Sequence, residues 1–471
     1  MKRTLTLIAA GLSLSGCVVG PNYVSPAPKA PAQGSLSEAN APAFVANEPP
    51  ADWWRMFDTP VIDRLVGEAL AANTDLRVAA ANLRQARAVL RETRSARLPS
   101  TTITAQGGYG QTSGSTLGLN GAGPRGDSYD VGFDVGYQVD LFGKITRAIQ
   151  AGRADVEASQ AAYDLARVTV VAETIRAYSD ACAAGQQLAV SARTLKLQED
   201  TYDLTRRLEA GGRGTGLETS QGQALLEQTR ATVPVFEAQR KAALFRLAVL
   251  TGKPPAEFPT DVASCETVPT VKQAIPVGNG ATLLARRADV RAAERRLASA
   301  TAQIGVATAD LYPNVSIGGS IGSTANSPEG LFKSSGLNFS IGPLLSFSFP
   351  NMSVARARIA QAKAGADAAL ATFDGTWLTA LQDTETALSA YVAQGQRVEA
   401  LRRARDASGE AARIARLRYR AGAEGFQTVL DAERSEASNE LLLAQAESNF
   451  SDATVSLFLA LGGGWQQSPQ G

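Results

Sequence analysis

The chain has 471 residues but no histidine, only three cysteines and three methionines, and almost no net charge: 46 Lys and Arg oppose 45 Asp and Glu, leaving +1. Without imidazole there is no Ser-His-Asp triad, no histidine proton shuttle and no His-ligated zinc or haem. An enzyme here would have to rely on carboxylates, Lys, Tyr or Cys, and the reading is a non-enzyme with no cofactor and no metal site. The charges are mixed along the chain without a basic patch, which argues against a nucleic-acid partner. What is present is ordinary in amount: 44% hydrophobic residues, as in a folded protein, and a length that allows two to four domains at ~100–200 residues each.

The N-terminus carries the first specific message. Lys2 and Arg3 precede an apolar stretch from Leu5 to Leu14, followed by Ser15, Gly16 and Cys17. A positive start, a short apolar run and small residues at a cut read as a secretory signal peptide over 1–16. The run is too short for a spanning helix, which needs ~20 apolar residues. Cys17 after Leu-Ser-Gly resembles the bacterial lipobox, whose thiol receives a diacylglyceryl group; an ordinary signal with a chance Cys is the plainer alternative. Val18 follows instead of an aspartate, so the inner-membrane retention signal is missing and the outer membrane is the expected destination. Beyond Cys17, residues 17–58 are expected to form an extended segment, rich in Pro, Ala, Ser and Asn from Gly20 to about Pro50, that holds a folded body at some distance from the anchor. Cys182 and Cys265 remain; in an oxidising compartment a disulfide and two isolated buried thiols both fit.

Internal repetition organises the rest. Asp75-Leu76-Arg77-Val78-Ala79-Ala80 recurs as Asp289-Val290-Arg291-Ala292-Ala293-Glu294, and Leu98-Pro99 as Tyr312-Pro313, both 214 residues on. Ala177-Tyr178 matches Ala390-Tyr391 at 213, Ala210-Gly211 matches Ala421-Gly422 at 211, and Thr251-Gly252 matches Leu461-Gly462 at 210. The slow drift is that of a duplicated unit. The expected division is a first repeat 59–258, a linker 259–277, a second repeat 278–465 and a tail 466–471.

Within each repeat the period changes. Helical spacing over Thr74–Arg97 and Asp289–Tyr312 is closed by Pro99 or Pro313. Alternation then takes over: Tyr129, Val131, Phe133, Val135, Tyr137, Val139 and Leu141 against Asp130, Gly132, Asp134, Gly136, Gln138 and Asp140, and correspondingly over 337–349. Shorter alternating runs precede these, giving hairpins at 101–142 and 314–349. One apolar and one polar face fits a strand between lipid and water, and equally a half-buried strand of a soluble sandwich. The longer runs reach the ~9–11 residues needed to cross the hydrocarbon layer. Four strands cannot close a membrane barrel, whose smallest members have about eight, so the edges must pair between subunits; three chains would supply twelve. Pro343, read as lying on an inner strand, predicts a bulge or kink. Long proline-free helices follow (Lys144 to Gly211; Asn351 to Gly422), each reaching ~100 Å at about 1.5 Å per residue, and each is followed by an antiparallel partner, Leu217–Thr251 broken by Pro234, and Phe426–Leu461. The fold class is mainly α with membrane β, a helix–hairpin–helix unit used twice.

These residues resemble a known family, the outer-membrane channel lipoproteins of tripartite efflux systems that serve resistance-nodulation-division transporters. The resemblance rests on Cys17-Val18-Val19-Gly20-Pro21-Asn22-Tyr23, Trp53-Trp54 with Phe57, Asp140-Leu141-Phe142-Gly143-Lys144, Arg418-Tyr419-Arg420-Ala421-Gly422 with Val429-Leu430-Asp431-Ala432, and Leu461-Gly462-Gly463-Gly464-Trp465. It implies a homotrimer with a twelve-stranded β-barrel continued by a long periplasmic helical barrel, with the linker in an equatorial region. It also implies lipid on Cys17, a periplasmic adaptor protein, an inner-membrane transporter and export of small molecules. The outer channel of a type I protein secretion system, similar in fold but usually without the lipobox, is the alternative. The family's tunnel closes where the paired helices turn. Here those turns hold Gly211, Gly216, Gly422 and Gly425. The resemblance places Asp431 at a constriction, with Thr428 where a second aspartate is usual. It makes Tyr419 and Glu218 a pair linking adjacent hairpins, and puts Glu424 where some members carry an arginine, so that any salt bridge there is absent or rewired.

Overall fold

The computed structural model describes residues 18–26, 36–111, 113, 115, 118, 120–347 and 352–463. Cys17, the signal segment 1–16, the tail 466–471 and residues 348–349 of the second expected hairpin lie outside them.

In chain order, β1 (Phe44–Val45) precedes α1 (Pro60–Ala72) and α2 (Thr74–Ser95); β2 (Ser100–Gln111) and β3 (Arg125–Val139) form the first hairpin. The long α3 (Lys144–Ala210) then turns into α4 (Gly216–Arg230) and α5 (Val233–Leu250). After β4 (Ile275–Pro276) come α6 (Gly280–Arg286), α7 (Ala288–Ala309), the hairpin β5 (Asn314–Ala325) and β6 (Leu337–Ser346), then α8 (Ser353–Arg420) and α9 (Phe426–Ala460). The expected helices end within three residues of these. Pro234 at the second position of α5 is where the expected break falls, because its missing N–H is tolerated only in a first turn.

The described residues divide into two compact units, and each draws on both repeats. The first combines the chain start up to Pro26 with Asn82–Ser159 and Ala292–Asp374. It contains a four-stranded antiparallel sheet in the order β2-β3-β5-β6. Its register sorts the two faces: Ile103, Phe133, Ile321 and Phe339 form one cross-strand row, and Thr102, Asp134, Ser320 and Ser340 the next, on the opposite face. Pro343 lies opposite Ile317 in unbroken register on an edge strand of this sheet. The expected bulge on an inner strand is therefore corrected: at the edge, a proline breaks no ladder within the chain.

The same unit seats the start of the chain. The Arg147 guanidinium, 3% exposed, donates from Nε to the Val19 carbonyl (3.0 Å) and from Nη2 to the Gly20 carbonyl (3.0 Å) and Asn22 Oδ1 (2.9 Å). Gly143, at φ +77, lets Val18 approach so closely that a Cβ there would stand 2.7 Å from Val18 Cγ1. Asp140 accepts from the Ile145 and Thr146 backbone N–H groups (2.9 and 2.8 Å) and so caps α3. The notion of a loose spacer fails at this point, since the first described residues after Cys17 are clamped at a strand-to-helix junction.

The second unit, Ala27–Ala81, Gln160–Arg291 and Gly375–Gly471, holds the main core. Trp53, Ile62, Leu65, Val171, Ile175, Leu247, Ile275, Leu283, Leu388 and Phe458 are buried there, and Trp53 stacks on Phe458 with centroids 4.6 Å apart. Over residues 36–58 the expected extended character gives way to structure: Phe44 and Val45 pair in parallel with Ile275 and Pro276, and Ser37–Asn40 and Trp53–Phe57 are 3-10 turns. Leu36, Phe44, Trp53 and Phe57 have apolar surface to bury, and burying it outweighs the Pro-rich bias toward an open chain. Cys182 and Cys265 are joined in a disulfide that ties α3 to the inter-repeat linker.

Candidate gate at the helical turns

Both turns of the second unit are built alike. At the end of α3, Gly212 at φ +67 lets the Arg213 N–H donate back to the Leu208 carbonyl (2.8 Å); at the end of α8, Gly422 at φ +71 lets Ala423 do the same to Arg418 (2.9 Å). This is the left-handed glycine cap that reverses a helix. The equivalent glycines are thus Gly212 and Gly422, 210 residues apart, the same offset as the left-handed pair Gly252 and Gly462. The expected match of Gly211 to Gly422 is off by one, because adjacent glycines hide which of them takes positive φ. Gly216 opens α4, and Gly425 is the N-cap of α9.

The returning helices differ. Thr215 and Glu218 form a capping box: Thr215 Oγ1 accepts from the Glu218 N–H (3.3 Å) and Glu218 Oε2 accepts from the Thr215 N–H (2.9 Å). In the second repeat, Gly425 and Thr428 occupy those positions, so the box is lost. Thr428 Oγ1 instead donates to Glu424 Oε1 (3.1 Å), and Glu424 Oε2 pairs with Arg418 Nε (3.4 Å). Glu424 thus pairs within its own hairpin. Asp431 is exposed and accepts from Gln427 Nε2 (3.0 and 3.1 Å).

Between the two hairpins sits an apolar clasp of Leu225, Phe426 and Leu430 with Tyr419 packed on it, the Tyr419 and Phe426 rings 5.7 Å apart. Burial, and then the charge of Glu218, push the Tyr419 phenol up. Tyr419 and Glu218 are therefore brought near each other within one chain. Sequence reasoning did not single out Leu225, Phe426 or Leu430 as a unit, since apolar residues at helical spacing look like any other core stripe. Among the described residues no cluster of three or more metal-ligating side chains occurs.

Comparison with known proteins agrees with this architecture. The family model described as outer membrane efflux protein matches residues 65–253 and 280–463. The chain is 32% identical over 464 residues to outer membrane protein OprJ of Pseudomonas aeruginosa, covering 98% of this chain and 96% of that protein. It is 29% identical to nodulation protein T of Rhizobium leguminosarum bv. trifolii, covering 96% of each. Among solved structures, the outer-membrane channel OprN superposes with a TM-score of 0.90 at 36% identity, covering 96% of this chain and all of that one. The open state of the Neisseria gonorrhoeae MtrE outer membrane channel gives 0.83 at 28%, covering 97% and 100%. Built from long paired helices and a four-stranded sheet with one apolar and one polar face, the chain belongs to the outer membrane efflux protein family, as an outer-membrane duct component for small-molecule export.

Proposed function

We propose that three copies of this chain close a twelve-stranded barrel and form a lipid-anchored duct whose periplasmic end is gated at the two helical turns. The observation that carries the reading is the sheet itself: four strands, with β2 and β6 each left with one unpaired edge among the described residues. Such edges need a partner, and a ring of identical chains removes all of them. Two underfilled helices adjoin those edges. α2, which leads into β2, has only Asn73, Leu76, Leu83 and Leu90 buried along or beside it, and the first 25 residues of α8, which follows β6, bury only Ala366, Phe373 and Trp377.

The Arg147 clamp supports a lipid on Cys17, because it holds Val18 to Asn22 where the strands end and the helices begin. The repeats 59–258 and 278–465 each then supply one hairpin to the barrel and one to the gate. In a trimer, Asp431 contributes one exposed carboxylate per chain, a ring that favours cations in a narrow throat. A periplasmic adaptor engages the turns, and an inner-membrane transporter of the resistance-nodulation-division type supplies the energy. The test is planar-bilayer conductance of the purified duct. Wild type should run as a trimer and prefer cations, and Asp431→Ala should weaken that preference severalfold; a monomeric species, or unchanged cation preference, would overturn the corresponding part.

A further inference from the structure

Below Val190 the buried side chains of α3 change character. Ser191, Thr194, Gln198 and Thr205 are the only ones 9% exposed or less, and all are polar. With Gln187 and half-buried Thr201 they recur at steps of four and three, the spacing of a coiled-coil seam whose inner positions are usually apolar. The opposing stretch of α9 matches: between Leu430 and Leu443 the one buried side chain is Glu433. Thr201 donates to Glu433 (3.0 Å), Thr194 to Glu440 (3.4 Å) and Gln187 to Gln445 (3.4 Å), in antiparallel register. The pairing is incomplete. Both side-chain polar atoms of Gln198, the Ser191 hydroxyl and Glu433 Oε2 are buried without a partner in the chain. Beside them lies a cavity of ≈ 500 Å³ lined by Ser191, Thr194, Leu225, Gln228, Thr229 and Arg434 among others.

This polar span is bounded on both sides. Toward the core, Cys182 is covalently fixed to Cys265 and sits among Val171, Ile175, Leu247 and Phe458. Toward the turns stands the clasp of Leu225, Phe426 and Leu430. Water competes poorly for apolar surface and well for unpaired amides and hydroxyls, so a seam of this composition loses little when it is wetted, whereas the flanking apolar contacts lose a great deal.

We propose that residues 191–205 of α3 and 431–442 of α9 form a release seam, which hydrates and parts when the apolar clasp at the turns lets go and which stops at the disulfide-pinned core. The inference rests on the reading of the turns as a gate. It assigns the pivot to the stretch between Cys182 and Val190 and makes Gln198 the position that keeps the seam separable.

The experiment uses the reconstituted full-length duct and three variants. Phe426→Ala, which removes the clasp, is expected to raise conductance about threefold or more. Gln198→Leu, and independently Gln198→Met, in the Phe426→Ala background should return it toward wild type, because an apolar inner residue resists wetting. Hydrogen exchange in the Phe426→Ala duct should be about tenfold or more faster over 191–205 than over 168–182. If Phe426→Ala leaves conductance unchanged, the gate reading itself fails. If it opens the duct but neither Gln198 variant suppresses the opening, or the two stretches exchange alike, the gate stands and the release seam is overturned.

Discussion

At the scale of single residues, most of the buried polar side chains lie in the second unit, and the half-buried Asp452 beside them has the most readable consequence. It lines a cavity of ≈ 470 Å³ together with Asp180, Gln187, Gln239, Arg246, Gln445 and Asn449. Burial first, and the neighbouring Asp180 charge second, push its carboxyl up to about 6, against the opposing pull of Arg176 and Arg246; Glu173 adds to the rise. A carboxylate whose native pKa lies above its unfolded value binds its proton more tightly in the folded state. It therefore contributes stability at acid pH that is lost as pH rises from about 4 through about 6. Asp452→Asn should stabilise the fold at pH 7.5 by on the order of 1 kcal/mol after solvent screening, seen as a raised melting temperature, and leave it nearly unchanged at pH 4. An equal effect at both pH values would refute the assignment. Nothing in the sequence marks this aspartate, because its shift comes from burial in the folded chain and then from Asp180, a residue 272 positions earlier.

At the scale of elements, the inter-repeat linker shows what fixes a segment without regular structure. Val262, Val268, Val271, Ile275 and Val277 are buried, β4 pairs with β1, and Cys265 is bonded to Cys182. The linker lies so close to α3 that a Cβ on Gly185 would stand 2.0 Å from the Cys265 carbonyl oxygen. Across a separation of 83 residues the cross-link destabilises the unfolded chain by about 4.5 kcal/mol in the chain-entropy account. Cys182→Ser with Cys265→Ser should lower thermal stability by an amount of that order and expose the linker to proteolysis first; an unchanged melting curve would count against it. The helices themselves were legible, since proline-free runs of Ala, Leu, Gln, Glu and Arg favour no other state. α1 was not foreseen, since the expected helix began at Thr74. The break lies at Asn73, whose buried side chain accepts from the Asp75 and Leu76 N–H groups (2.9 and 3.2 Å) and donates to the Leu250 carbonyl (3.1 Å), a long-range bond no local pattern announces.

At the scale of the whole molecule, the outer-membrane duct depends on which sheet face meets lipid. Ile103, Phe339 and Ile341 are 76, 78 and 83% exposed in the single chain, more apolar surface than a soluble sheet leaves uncovered. Ser340 and Ile341 are neighbours on β6 and point to opposite faces. Ile341→Arg should therefore impair membrane assembly by ~2–4 kcal/mol, and Ser340→Arg should be tolerated with altered conductance. Recovery of both variants in equal amounts from outer-membrane extracts would contradict the face assignment.

The sequence by itself carried the internal repetition, the period of the long helices and the four strands of the larger sheet, because these follow from local spacing and from residues that favour one conformation. It also carried the family motifs, although the role of Gly143 in one of them became readable only when Val18 was seen packed against its bare Cα, next to the Arg147 guanidinium that holds the Val19 and Gly20 carbonyls. The tertiary structure alone decided that Cys182 meets Cys265, that Gly212 and not Gly211 reverses the chain, and that Tyr419 shares a clasp with Leu225. It also decided that each compact unit mixes both repeats. The glycine cap is a local matter that two adjacent glycines left open; the others depend on contacts between residues far apart in the chain, where the free energy of burial and pairing is set by the partner and not by the neighbours in sequence.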